Sequence, residues 1–100
     1  MAPGAVSYLI TRGPIVAPQP STLLLYSTEH CHLCEEALAI VLGQAELAGW
    51  ALEVADVALE PELFERYGER IPVLALGDRE LNWPFDGADV LALCGFDRTP

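Results

Sequence analysis

Two of the three cysteines in this chain, Cys31 and Cys34, stand three positions apart in the segment YSTEHCHLCEEALAIVL, residues 26–42. A Cys-x-x-Cys pair can attach haem, bind zinc, ligate an iron–sulfur cluster or exchange disulfides. Haem attachment requires a histidine directly after the second cysteine, and Glu35 occupies that place. Structural zinc asks for four ligands, usually from two separated pairs. The remaining candidates are His30, His32 and Cys94, and the two histidines flank Cys31 too tightly for one ion to take all four neighbours. An iron–sulfur cluster shared between two chains stays open as an alternative. Dithiol exchange needs only a reactive thiolate backed by a second thiol, so this reading calls for no metal and no cofactor.

The setting of the pair strengthens that reading. Cys31 falls where an apolar strand-like run, TLLLYS, gives way to a helical pattern. A sulfur at that junction lies near the unpaired N–H groups and positive pole of the helix. Thiolate is favoured there, and cysteines so placed fall from about 8.5 into the range of roughly 3.5–7.5. Cys34, one helical turn on, is the more shielded partner. His30 and His32, when protonated, would further favour a Cys31 thiolate. Glu35 and Glu36 would oppose it if they approach the sulfurs, and otherwise complement the helix start. A second feature is Ile71-Pro72, a proline immediately ahead of a strand-like run. It reads either as a simple turn proline or as a cis bond beside the cysteines, where Ile71 would present backbone to an extended substrate and the ring would shield the sulfurs.

The elements that must carry these residues follow from periodicity. Thr22–Ser27 is a short apolar strand buried on both faces. Cys34, Leu38, Val41 and Ala45 recur at helical spacing, widened by Leu33, Ala37 and Ile40, with Gly49 as the stop. Trp50–Val57 alternates as a strand nearer an edge. Pro61, Glu62 and Gly68 punctuate a short helix with Leu63, Phe64 and Tyr67 on its apolar side. Val73–Leu76, the Gly77-Asp78 turn and Arg79–Trp83 form a hairpin. Asp86 caps a last helix reaching Cys94, with Gly95 as its stop. Cys94 reads as a buried core thiol, and Trp83 and Phe85 as packing at the sheet edge. The order β-α-β-α-β-β-α, with a right-handed parallel crossover between the first two strands, gives a four-stranded mixed sheet with helices on both faces. This is the thioredoxin-like α/β fold. Residues 22–95 form that domain, with 96–100 as a tail. Residues 1–21, punctuated by Pro3, Pro14, Pro18 and Pro20, read as a flexible leader in which AVSYLI is a candidate extra strand.

Composition limits the partners. Fifteen acids against five arginines and no lysine leave a formal charge of −10, which speaks against nucleic acid and anionic membrane as partners. No apolar run approaches the roughly 18–20 residues of a membrane span. Arg12 and Pro14 break the only stretch resembling a signal peptide, and three cysteines do not make a secreted disulfide framework. The expected location is cytoplasmic.

Residues Leu23 to Cys94 resemble the glutaredoxin-like proteins of the thioredoxin superfamily. The resemblance is carried by LLLYSTEHCHLCEEA, YGERIPVL and LNWPFDGADVLALCG. It implies that Cys31 is the nucleophile, Cys34 the resolving thiol and Pro72 a cis proline. Glutaredoxins usually hold glutathione with a basic residue ahead of the dithiol, an aromatic within it and a glycine turn opening the last helix. Here Glu29 and His30 precede Cys31, His32 and Leu33 fill the motif, and PFDGAD replaces the glycine turn, which puts glutathione use in doubt. The expected activity is thiol–disulfide exchange on a protein or small-molecule disulfide. A non-catalytic binding or scaffold protein and a metal- or cluster-binding dimer are its rivals.

Overall fold

The computed structural model describes residues 5–9 and 21–96. Its sheet has the expected four strands, β2 (Thr22–Ser27), β3 (Ala51–Asp56), β4 (Val73–Leu76) and β5 (Arg79–Asn82), and a fifth, β1 (Ala5–Leu9), in the order β1-β3-β2-β4-β5. β2 and β3 run parallel, while β2/β4 and β4/β5 are antiparallel. Gly77 at φ 61° makes the tight β4–β5 turn, a conformation glycine adopts without steric cost.

Two expectations are corrected here. The sheet is five-stranded, because Ala5–Leu9 pairs antiparallel with the outer edge of β3, Ala5 opposite Ala55 and Leu9 opposite Ala51. β3 is therefore an inner strand. The physical reason is that a parallel strand left at an edge presents a row of unpaired N–H and C=O groups, which β1 satisfies. The remainder of the leader, residues 1–4 and 10–20, lies outside the described residues, as does the tail beyond Phe96.

Three helices cover the sheet: α1 (His32–Leu42), α2 (Pro61–Tyr67) and α3 (Gly87–Leu93). On one face Leu23 and Leu25 of β2, Leu52 of β3 and Leu74 of β4 meet Ala37 and Val41 of α1 and Val90 of α3 in the main core. On the other, α2 lays Tyr67 against Val73 and Val57. β2 is thus fully buried on one side and only partly on the other, rather than buried on both. Helices do lie on both faces of the sheet.

α1 ends earlier than its apolar periodicity suggests. It stops at Leu42 with Gly43 as C-cap, and Ala45–Leu47 forms a separate 3₁₀ turn that inserts Leu47 into the core. Gly49, at φ 88°, bends the chain into β3. Leu33 was expected on the buried stripe but is 45% exposed. It sits in the first turn of α1, where Cys34 rather than Leu33 takes the buried position. Phe85 joins the core instead of the sheet edge, while Trp83 is half-buried and meets it edge-on at 5.1 Å. α3 starts with a reciprocal capping box: Asp86 accepts from the Asp89 N–H, and Asp89 accepts from the Asp86 N–H.

Candidate active site

The dithiol is built by a strand-to-helix transition. β2 ends at Ser27, the chain turns through Thr28–His30, and α1 begins at His32. His30 makes that turn in the left-handed region at φ 58°, an uncommon conformation for a residue with a Cβ, and one that clusters at functional sites. Cys31 is the N-cap, in extended conformation, and its sulfur accepts the backbone N–H of Cys34 at 3.1 Å. A sulfur thus takes the place that a serine or aspartate oxygen usually fills at a helix start. Its carbonyl accepts the Glu35 N–H, opening the helical ladder.

Cys31 and Cys34 are joined in a disulfide, with Cα atoms 5.2 Å apart, inside the usual range for such a bridge. Cys31 is partly accessible, whereas Cys34 is buried against the core at 3% exposure. Cys94, at the C-cap of α3, is also buried, and burial pushes its thiol up to about 11, with Arg79 pulling weakly the other way. It stands apart as a core thiol.

Neighbouring loops converge on the same end of the sheet. Thr28 Oγ1 donates to Asp56 Oδ1 at 2.9 Å, and the same oxygen accepts the Ala58 N–H at 2.9 Å. This pins the cysteine loop to the segment that follows β3. Register places Val73 opposite Tyr26, so one further step sets Pro72 across from Ser27 at the mouth of the cysteine loop. Pro72 is fully buried and the Ile71–Pro72 bond is cis, as is Trp83–Pro84. Ile71 is half-buried against Val57, Tyr67 and Val73, and its N–H donates to the Tyr67 carbonyl at 3.1 Å.

The histidines are less closely engaged. His32 places Nε2 2.9 Å from Glu36 Oε2 on the outer face of α1, and His30 is exposed in the turn. Among the described residues, no three or more His, Cys, Asp or Glu side chains assemble in a way that could hold a metal ion. None of the described helices is long and apolar enough to cross a membrane.

A polar cluster that sequence reasoning did not find secures α2. The Tyr67 hydroxyl donates to Glu80 Oε2 at 2.5 Å, and Arg70 Nη2 donates to Glu80 Oε1 and to Asn82 Oδ1, each at 2.9 Å. The Tyr67 ring stacks on Tyr26 at 3.9 Å, and the Arg66 and Arg70 guanidinium groups lie 5.4 and 5.1 Å from its centroid. Burial first, and then the hydrogen bond to Glu80, hold the Tyr67 hydroxyl far above its ordinary value. The Tyr67 and then the Arg70 hydrogen bonds lower the Glu80 carboxyl. No local spacing links residue 67 to residue 80, so only the paired strands reveal the contact.

Tyr67→Phe should cost about 1 kcal/mol, the net worth of a hydrogen bond that is partly open to solvent. Glu80 has a depressed folded value, so its contribution is present above its ordinary carboxylate range and lost as pH falls through the lower folded value. Urea denaturation at a series of pH values should therefore show the difference between wild type and Tyr67→Phe shrinking on the acid side. A gap that widens with acidification would contradict this assignment.

A Cys-x-x-Cys at a strand–helix junction, on a mixed sheet with helices on both faces, defines a thioredoxin-like protein with a dithiol centre. The chain belongs to the glutaredoxin-like domain (DUF836) family, whose family model matches residues 22–93. Among solved structures it is similar to the X-ray structure of the structural-genomics target protein XcR50 from X. campestris, with 34% identity and a TM-score of 0.62, covering 75% of this chain and 97% of that one. No curated protein matches the sequence.

Proposed function

We propose that this protein is a thiol–disulfide oxidoreductase. The observation that carries the reading is the Cys31 sulfur at the N-cap of α1, accepting the Cys34 N–H and bridged to a buried Cys34. The N–H that reaches this sulfur is the group that would stabilise its thiolate in the reduced protein. Cys31 attacks one sulfur of a substrate disulfide, the substrate S–S bond breaks, and the departing thiolate takes up a proton. Cys34, once deprotonated, attacks the Cys31 sulfur of the mixed disulfide and releases the second thiol. The dithiol has then given two electrons and closed its own bridge, which a small dithiol reopens.

Ile71 and Pro72 are the proposed substrate platform, since register brings them to the mouth of the cysteine loop. With the Ile71 N–H already bonded to Tyr67, the platform would act through the Ile71 carbonyl. Protein or small-molecule disulfides are the proposed substrates, with glutathione a poor one. His30 and His32 are proposed to tune the thiolate through their charge, His32 competing between the sulfur and Glu36. A working dithiol that must be kept reduced fits the cytoplasm.

Alkylation of the reduced protein at mildly acidic pH tests the assignment of the nucleophile. Cys31 should be labelled first, Cys34 more slowly and Cys94 last, given the burial of the latter two. Mass spectrometry that finds Cys34 or Cys94 modified ahead of Cys31 would overturn the roles. In parallel, insulin reduction driven by dithiothreitol should be accelerated by the protein, and a rate equal to dithiothreitol alone would favour a scaffold.

A further inference from the structure

We propose that the dithiol selects disulfides by charge, exchanging with those that carry cationic groups beside the sulfurs and rejecting anionic ones. This rests on the redox reading above and adds a substrate class to it.

The proposal comes from where the charges lie around Cys31. Glu29 is exposed in the turn two residues before it, and Glu35 is exposed directly after Cys34. The Thr28–Asp56 hydrogen bond draws the segment after β3 to the same end of the sheet, and that segment carries Glu60 at the N-cap of α2. Among the described residues none of these three carboxylates has a cationic partner, whereas Glu36 is already bonded to His32.

The described arginines each have a partner of their own. Arg70 is held by Glu80 and Asn82, Arg66 lies over the Tyr67 ring, and Arg79 donates to the Leu93 carbonyl at 2.8 Å. Cys31 is thus approached where acids outnumber bases, with His30, His32 and the arginines over Tyr67 as the opposing charges, within a chain of formal charge −10. Such a field raises the local concentration of cations and the encounter rate with them, and lowers both for anions. Oxidised glutathione, which carries four carboxylates and two ammonium groups, is disfavoured. A disulfide flanked by lysine, arginine or amines is favoured.

The chemical step is the same for every substrate. Cys31 forms a bond to one substrate sulfur as the substrate S–S bond breaks, and Cys34 then expels the second thiol. The dithiol is oxidised, the substrate is reduced by two electrons to two thiols, and dithiothreitol restores the starting state.

Three small disulfides of similar size separate charge from shape: cystamine, 2-hydroxyethyl disulfide and 3,3′-dithiodipropionate. The reduced full chain is mixed with each at mildly alkaline pH, and the thiols are counted by acid quench, alkylation and mass spectrometry. Rates are divided by those of dithiothreitol, an uncharged dithiol, to remove intrinsic reactivity. The normalised cystamine-to-dithiodipropionate ratio should be roughly tenfold at low salt and collapse toward unity at about 0.5 M salt, where screening is short-ranged. The triple variant Glu29→Gln, Glu35→Gln, Glu60→Gln should lower the low-salt ratio by about fivefold. A protein that exchanges with the neutral disulfide but gives a normalised ratio near one overturns the charge proposal alone. So does a ratio that the triple variant leaves intact. Inertness toward all three disulfides overturns the redox reading, and this proposal with it.

Discussion

Cys31→Ser is expected to abolish disulfide exchange, lowering the rate by about three orders of magnitude or more. A hydroxyl is not ionised near neutral pH and cannot replace a thiolate nucleophile. The substitution is a clean test because serine is among the preferred N-cap residues. Its oxygen can accept the Cys34 N–H that the sulfur accepts now, so α1 keeps its start. Circular dichroism should accordingly be unchanged while exchange with 2-hydroxyethyl disulfide disappears. Cys34→Ser should behave differently. Cys31 remains reactive, no resolving thiol follows, and a mixed disulfide should accumulate as a stable adduct visible in the intact mass. Retained turnover in Cys31→Ser would assign the nucleophile to another sulfur, and Cys94 could then be tested by its own serine variant.

Leu25→Ala should lower stability by about 2–5 kcal/mol, the usual range for emptying a leucine site in a core that cannot collapse. Leu25 is fully buried on β2, opposite Val54 of β3 and Leu74 of β4, beneath α1 and α3. A domain of this size has a net stability of only about 5–15 kcal/mol, so the loss is a large part of the whole. Leu24→Ala, on the other face and only partly buried, should cost about 1 kcal/mol. Chemical denaturation of the two variants gives both numbers. Equal losses would mean that the two faces of β2 are equally packed, contrary to the observed alternation. The effect reaches function as well, because β2 ends four residues before Cys31.

Much of the site was legible from spacing alone because its parts are local. The strand run of Thr22–Ser27, the Cys-x-x-Cys and the glutamates after it already described a helix starting at the first cysteine. That start depends on capping groups within four residues of one another. The hairpin at Gly77 and the cap at Asp86 were readable for the same reason. The helix stops at Gly43 rather than Gly49, although apolar periodicity continues past it. The chain there leaves the helix for a separate 3₁₀ turn that puts Leu47 in the same core as Trp50.

By itself, then, the sequence determined the order of the core elements, the place of Cys31 where strand gives way to helix and the shielding of Cys34. Each of these follows from hydrogen bonds and apolar contacts between residues a turn or a strand apart. The tertiary structure decided the rest: that Ala5–Leu9 covers the edge of β3, that Thr28 meets Asp56, that Tyr67 reaches Glu80, and that Leu33 faces out. These depend on which strands lie side by side and on which side of a helix meets its sheet. Residues tens of positions apart meet there through hydrogen bonds and burial that no local periodicity records.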